Sequence, residues 1–321
     1  MIALTTRLYQ GESDLQAIVD LLNACELVDR LEEWASVSTF RVGMEDPSVA
    51  QVKDILLWED SDGKLIGFSQ MGIPAAGQEN DGWLWFRVHP QARDGKLERE
   101  MIAWGERRLR EVASERGVVM KFRSELRDKQ RDRIALLESC GFICERCFLR
   151  MARSLLEPFP APQLPERFTL RQTLGEEEAQ AWIEMHHQSR IDHWGYYPLT
   201  MEEYQYYLSN PNYQPELNLV AVAPDGTLAS YCECYICPED NDRNGRKDGW
   251  IGDLGTRRGF RRRGLGRAVL LAGMDRLKAA GMETARLGVD AQNPNGAKQL
   301  YESVGFHQLD AFLVYIKEIG K

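Results

Sequence analysis

Two apolar runs, Leu217 to Ala223 and Leu228 to Ile236, flank the turn residues Pro224, Asp225 and Gly226, a pattern that predicts a β-hairpin. A further apolar run from about Trp250 to Thr256 predicts the next strand, and Leu270, Met274 and Leu277 then recur at helical spacing. Thr284 to Val289 reads as a strand, Asn295 to Val304 as a helix and Ala311 to Lys317 as the last strand. Upstream, Phe168 to Gln172 reads as a short strand and Glu176 to Gln188 as a helix. A second helix is expected over Thr200 to Ser209, because Thr200 and Glu203 have capping-box spacing. Together these elements predict an α/β (mixed-sheet α+β) fold with helices on both faces of the sheet.

The same order of features occurs earlier in the chain. ILLWEDSDGKLIGF, from Ile55, parallels NLVAVAPDGTLASY, from Asn218; WLWFRVHPQARDGKLEREM parallels WIGDLGTRRGFRRRGLGRAV; and LLESCGF, from Leu136, parallels LYESVGF, from Leu300. Such a series predicts an internal duplication. Between the copies, Ser154 to Arg167 carries four prolines and reads as a linker. The expected organisation is therefore a domain over 1–153, a linker over 154–166 and a second domain over 167–321, which agrees with a length of 321 residues.

Composition narrows the function classes. With 43% hydrophobic and 28% charged residues and no run of eighteen apolar residues free of charge, neither a membrane span nor a membrane partner is expected. The opening MIALTTRLYQGESD lacks the pattern of a secretory signal, so a cytoplasmic location is expected. Seven cysteines suggest reduced thiols, and neither the cluster Cys140, Cys144, Cys147 nor the cluster Cys232, Cys234, Cys237 has the spacing of a zinc site, so no metal is expected. A net charge of −9 argues against a general nucleic-acid binder.

Against that acidic background, the segment DLGTRRGFRRRGLGRAVLLAGM, from Asp253 to Met274, is locally basic. A strand runs into a turn of glycines and arginines, and a helix begins at the glycines, which places several backbone N–H groups at the positive end of a helix dipole. That arrangement suits a pyrophosphate. Gly264 and Gly266 leave room for an anion, and Arg261, Arg262, Arg263 and Arg267 add charge. A P-loop would need lysine and then serine or threonine after its second glycine, whereas Leu265 and Gly266 follow Gly264; a dinucleotide turn would need a third glycine where Val269 stands.

These residues resemble the GNAT superfamily of acyl-CoA-dependent N-acetyltransferases. Arg261, Gly264 and Gly266 fit its phosphate turn, and QNPNGAKQLYESVGF supplies its second signature through Asn293, Ala297, Tyr301, Gly305 and Phe306. The resemblance covers residues 167 to 321, and the whole chain is similar in arrangement to tandem GNAT proteins. It implies a splayed sheet, acetyl-CoA as cofactor, and direct attack of a small-molecule primary amine on the thioester. Leu254, Gly255 and Thr256 are then expected to pair with the pantetheine and thioester oxygen, the amides from Arg262 through Leu265 and Gly266 to Arg267 to bind the pyrophosphate, and Asn293 to hold the pantetheine or acetyl end. Tyr301 matches the family's tyrosine beside the cofactor sulfur and is the candidate proton donor.

The base is left open among Asp253, Glu233, His193 and a water relay. The aromatic segment from Ile191 to Tyr207 suggests Asp192, His193, Trp194 and Tyr196 as lining for an amine pocket. In the first copy the turn holds Asp94, Gly95 and Glu98, two carboxylates that oppose an anion, and Leu137 replaces the tyrosine, so that copy reads as a degenerate, non-catalytic GNAT-like domain. The rival reading is a coenzyme A-binding sensor or structural protein; transfer of another acyl group, or to a peptide amine, also fits. Either a monomer or a homodimer is compatible with the sequence.

Overall fold

The computed structural model describes residues 4–45, 54–74, 80–210 and 213–320. The chain divides into two compact units, Met1–Cys147 with Phe312–Lys321, and Phe148–Ala311.

The first unit comprises β1 (Thr5–Leu8), α1 (Glu12–Asp29), α2 (Val37–Glu45), β2 (Ile55–Glu59), β3 (Leu65–Gly72), β4 (Asp81–Val88), α3 (Lys96–Arg116), β5 (Met120–Arg127), α4 (Arg131–Ser139) and the start of β6 (Ile143–Ser154). Strands β1 to β4 pair as antiparallel neighbours, and β4 pairs parallel with β5. Helix α3 starts at Gly95, which adopts the left-handed conformation (φ 79°), and buries Leu97, Met101, Ile102, Leu109 and Val112 against Phe86, Phe122 and Leu84 of the sheet. Helix α1 covers the other side of β2 and β3 through Leu15, Ile18 and Leu22.

The second unit follows the same plan with β7 (Thr169–Gln172), α5 (Ala179–Arg190), α6 (Met201–Ser209), β8 (Leu219–Val222), β9 (Leu228–Tyr235), α7 (Pro238–Asn244), β10 (Asp248–Thr256), α8 (Leu265–Ala279), β11 (Thr284–Asp290), α9 (Ala297–Ser303) and the start of β12 (His307–Ile319). Strands β7, β8, β9 and β10 are antiparallel neighbours, and β10 is parallel to β11. Trp182, Met185 and Tyr204 of α5 and α6 pack on Val220, Leu228 and Tyr231. On the opposite face, α8 comes so close to β9 that a Cβ on Gly273 would lie 2.6 Å from Cys232 Sγ. The Thr200–Glu203 capping box opens α6 as the spacing predicts. All seven cysteines are free thiols.

The units do not follow the sequence halves expected above. Phe148–Ser154 of β6 pairs antiparallel with β11, and Phe312–Ile319 of β12 pairs antiparallel with β5. Each unit is thus closed by a strand from the other copy. A duplicated chain carries two equivalent closing strands, and backbone pairing is satisfied by either, so the pattern of side chains predicts the strand but not the sheet it joins. The proline-rich stretch after Ser154 has no helix or strand, yet it is anchored: Leu155 is buried, and Arg153 Nη2 donates to the Pro158 carbonyl at 2.9 Å.

Candidate active site

Pairing between β10 and β11 extends only from Asp248–Thr284 to Ile251–Leu287, and a register shift in β10 falls between Ile251 and Asp253. Beyond that point the strands part. A cleft of about 790 Å³ opens there, walled by Gly252 to Thr256 on one side and Gly288 to Asp290 on the other, and closed by the turn into α8 and by Asn293, Ala297 and Tyr301.

The turn has the local geometry that its glycines suggested. Gly264 is the residue before α8 and has φ 85°, in the left-handed region that disfavours side chains. The first amides of α8, at Leu265, Gly266 and Arg267, have no partner within the helix and face the cleft's end as a ready anion site. A Cβ on Gly266 would crowd Thr256 Oγ1 at 3.2 Å, and one on Gly255 would lie 2.4 Å from the Tyr231 ring. These residues fit a diphosphate followed by a narrow, extended chain: the amides take the anion, and the missing side chains keep the strand wall open.

The four arginines of the turn have different tasks. Arg261 is engaged by the protein itself, donating to the Thr256 carbonyl (3.1 Å), the Ser189 carbonyl (2.9 Å), Asp192 (2.7 Å) and Asn295 Oδ1 (3.2 Å). It ties the end of β10 to α5 and to the loop before α9. Arg267 donates to Ser303 Oγ at 2.7 Å, and Arg263 lies over the Phe260 ring, outside the cleft. Arg262 is exposed and lines the cleft, and is the guanidinium best placed to meet a phosphate.

The candidate bases differ sharply. Asp253 and Glu233 stand directly opposite each other on β10 and β9, so their side chains share one face of the sheet. Asp253 is engaged on every side: Arg190 at 2.6 Å, the Tyr231 hydroxyl at 2.9 Å, the Leu254 amide at 2.8 Å and His186 Nε2 at 3.4 Å. Burial alone would raise its pKa, but Arg190, His186 and Tyr231 outweigh burial and hold the carboxyl well below the usual range. Such a group is a poor proton acceptor. Glu233 is the converse: burial, and then the facing Asp253 carboxylate, push it up to about 8 against a weaker opposing hydrogen bond from Tyr207. His193 lines the cleft, and burial followed by the charge of Arg190 lowers its pKa.

Tyr301 is buried on α9 and lines the cleft. Burial, then the charges of Asp253 and Cys232, hold its hydroxyl well above the ordinary tyrosine value, so it keeps its proton. Asn293 lines the same wall and accepts the Asn295 amide at 2.9 Å, which fixes the loop ahead of α9.

The expected acceptor residues divide. His193 is in the cleft, and Trp194 packs against Phe148, a cleft residue, with ring centres 5.8 Å apart. Asp192 is instead ion-paired with Arg258 and Arg261, and Tyr196 bonds His187 Nδ1 at 2.7 Å. Sequence reasoning missed Arg190, His186, Tyr207, Tyr231 and Phe148. Arg190 and His186 lie one helical turn apart on α5, a signal that gains meaning only once Asp253 is known to face that helix.

A sheet splayed beside a glycine-arginine turn at a helix start, with a buried tyrosine on the far wall, thus encloses one cleft. Residues 177–306 match the acetyltransferase (GNAT) family. It is 31% identical over 178 residues to the mycothiol acetyltransferase of Thermobispora bispora, a match over 54% of this chain and 58% of that relative. The chain thus spans little more than half the length of such relatives. In structure it resembles a GCN5-related N-acetyltransferase from Sphaerobacter thermophilus (TM-score 0.77, 24% identity, 99% of this chain and 96% of that one). It also resembles a tandem GNAT protein from the clavulanic acid biosynthesis pathway (TM-score 0.73, 14% identity, 100% of this chain and 99% of that one). The tandem mixed-sheet fold is therefore shared with these proteins. Among the described residues, no helix is long and apolar enough to cross a membrane.

Proposed function

We propose that the chain is an acetyl-CoA-dependent N-acetyltransferase whose acceptor is a small-molecule primary amine, with the reaction in the Phe148–Ala311 unit. The observation that carries this reading is the parting of β10 from β11 beside the amides of α8, with Tyr301 on the opposite wall. When bound, acetyl-CoA supplies a thioester carbonyl that a neutral amine attacks, the amide N–C bond forming as the C–S bond breaks.

The chain's own residues serve that exchange. The amides of Leu265 to Arg267 and the Arg262 guanidinium hold the diphosphate end, while Leu254 to Thr256 and Asn293 orient the arm that leads to the reacting carbon. Glu233 does not line the cleft but stands opposite Asp253, which does, and it receives the proton from the amine nitrogen through an intervening water, its raised pKa suiting it to that task. Tyr301 gives its hydroxyl proton to the leaving sulfur and recovers one from solvent after product leaves. Asp253, in this reading, is a positioning residue for the strand and for Glu233, and the acceptor lies near His193 and Trp194.

The test is release of free thiol from acetyl-CoA with a panel of small primary amines, including an acceptor related to mycothiol as the relatives' names suggest. Turnover with a small amine supports the reading. Coenzyme A binding with no thiol release for any amine favours a sensor, and release with peptide amines alone favours a peptide acceptor.

A further inference from the structure

The Met1–Cys147 unit with Phe312–Lys321 has a cleft of its own, of about 770 Å³, at the place where its turn enters α3. Its walls are unlike those of the cleft that holds Tyr301. The turns correspond closely: Arg93 Nε donates to the Val88 carbonyl at 3.0 Å as Arg261 Nε donates to that of Thr256 at 3.1 Å. But the amide of Gly95 is taken by the Glu98 carboxylate at 3.0 Å, so the anion position at the helix start is already filled from within.

The arm of the cleft differs as well. Aligning LLESCGF with LYESVGF puts Arg133 at the position of Ala297, and Phe86, two residues before Val88, at that of Leu254, two before Thr256. The Arg133 guanidinium lies 4.4 Å over the Phe86 ring, across the path that a pantetheine chain would need. Its Nε and Nη2 are buried and have no hydrogen-bond partner. Burial, and then the charge of Arg87, lower its pKa to about 9 against the weaker pull of Glu33 and Asp29. Around it, Arg99 donates to Ser139 Oγ and Lys129 to the Arg30 carbonyl, and among the described residues Arg131 has no ion-pair partner. Arg93 and Arg87 are matched by Asp29 and Glu33, and Glu98 and Asp132 also line the cleft, so the other four cations face two carboxylates and the cleft keeps a net positive charge.

We propose that this cleft binds a compact oxyanion, a small phosphorylated or polycarboxylate metabolite, seated on Arg133 and gripped by Arg99 and Arg131, and that it does not accept coenzyme A. Guanidinium groups grip planar carboxylates and phosphates through paired N–H donors, and a buried, unpaired one gains most from such a partner. The cleft is of a size suited to a small metabolite.

The test is calorimetry on full-length protein carrying Arg262→Glu, which reverses the charge at the other cleft, with inorganic phosphate and citrate as probes. One probe is expected to bind at one site per chain, which of the two reporting whether phosphate or carboxylate is preferred. Adding Arg133→Met, which keeps bulk over Phe86 while removing the charge, is expected to weaken that binding at least tenfold. Arg131→Glu, at an exposed position, is expected to do the same and serves if the Met variant folds poorly. Binding of neither probe overturns the proposal, as does binding that survives both substitutions. Displacement of the bound probe by coenzyme A in the Arg262→Glu protein would contradict the assigned ligand class.

Discussion

Arg190 reaches from the end of α5 to place Nη1 2.6 Å from Asp253 Oδ1, and by this contact a carboxylate in the floor of the cleft stays ionised. Asp253 is one of the candidate bases, and its proton affinity is too low for that task. Removing the cation strands a largely buried charge. Arg190→Met is expected to destabilise the protein by about 2 kcal/mol, below the ~3–5 kcal/mol of a fully buried pair because Arg190 is one-third exposed. Urea unfolding at pH 7 measures it. Because the folded pKa of Asp253 is depressed, its contribution is full above about pH 4 and fades as the pH falls below that. Equal stability of wild type and Arg190→Met at pH 7 would show that the pair does not matter.

The base is expected to show itself in the pH profile. With Glu233 at about 8, kcat/KM should rise with pH through an apparent pKa near that value, and Glu233→Gln should remove the limb and lower the rate roughly 10²–10⁴-fold. Its folded pKa is raised, so ionising Glu233 weakens folding progressively between about pH 4 and 8. Glu233→Gln should therefore raise the melting temperature more at pH 8 than at pH 5. Asp253→Asn should shift the kinetic pKa of Glu233 downward, since it removes the facing negative charge.

For Tyr301, the expected signature is a separation of binding from turnover. Tyr301→Phe keeps the ring contact with Phe306 and loses the proton. Its kcat should fall about 10²-fold or more while coenzyme A affinity stays within about twofold of wild type. A fall in affinity with unchanged kcat would assign Tyr301 a packing role instead.

Gly255 tests the strand wall. An added methyl would meet the Tyr231 ring at 2.4 Å and Ser189 Cβ at 2.8 Å, and neither α5 nor β9 can yield without disturbing Asp253. Gly255→Ala should cost about 1–3 kcal/mol by overpacking and weaken coenzyme A binding, whereas Gly259→Ala, with open space around it, should do neither. Paired thermal-shift and binding measurements distinguish the two positions.

Most elements of the second unit are legible in the sequence, because hairpin turns, a capping box and helical spacing are local signals, and each sits where its residues predict. Part of the cleft wall is legible too, since glycines at 255 and 266 stand at close approaches and the one at 264 at a left-handed turn. What is not legible depends on partners distant in the chain. Arg261 reads as a free phosphate charge until Ser189, Asp192 and Asn295 are seen around it. Asp253 and Glu233 read alike as acidic strand residues until Arg190 neutralises one and leaves the other buried. The pairing of Phe148–Ser154 with β11 and of Phe312–Ile319 with β5 is hidden for the same reason, as both sequence copies carry a strand able to fill the same slot.

The central claim is that the turn after Thr256 holds the diphosphate of coenzyme A, and titration calorimetry on the purified full-length protein tests it most directly. Coenzyme A should bind with one site in the Phe148–Ala311 unit, and Arg262→Glu should weaken it about tenfold or more by setting a carboxylate against the anion. Absence of binding by wild type, or an affinity indifferent to the charge at position 262, would contradict the account.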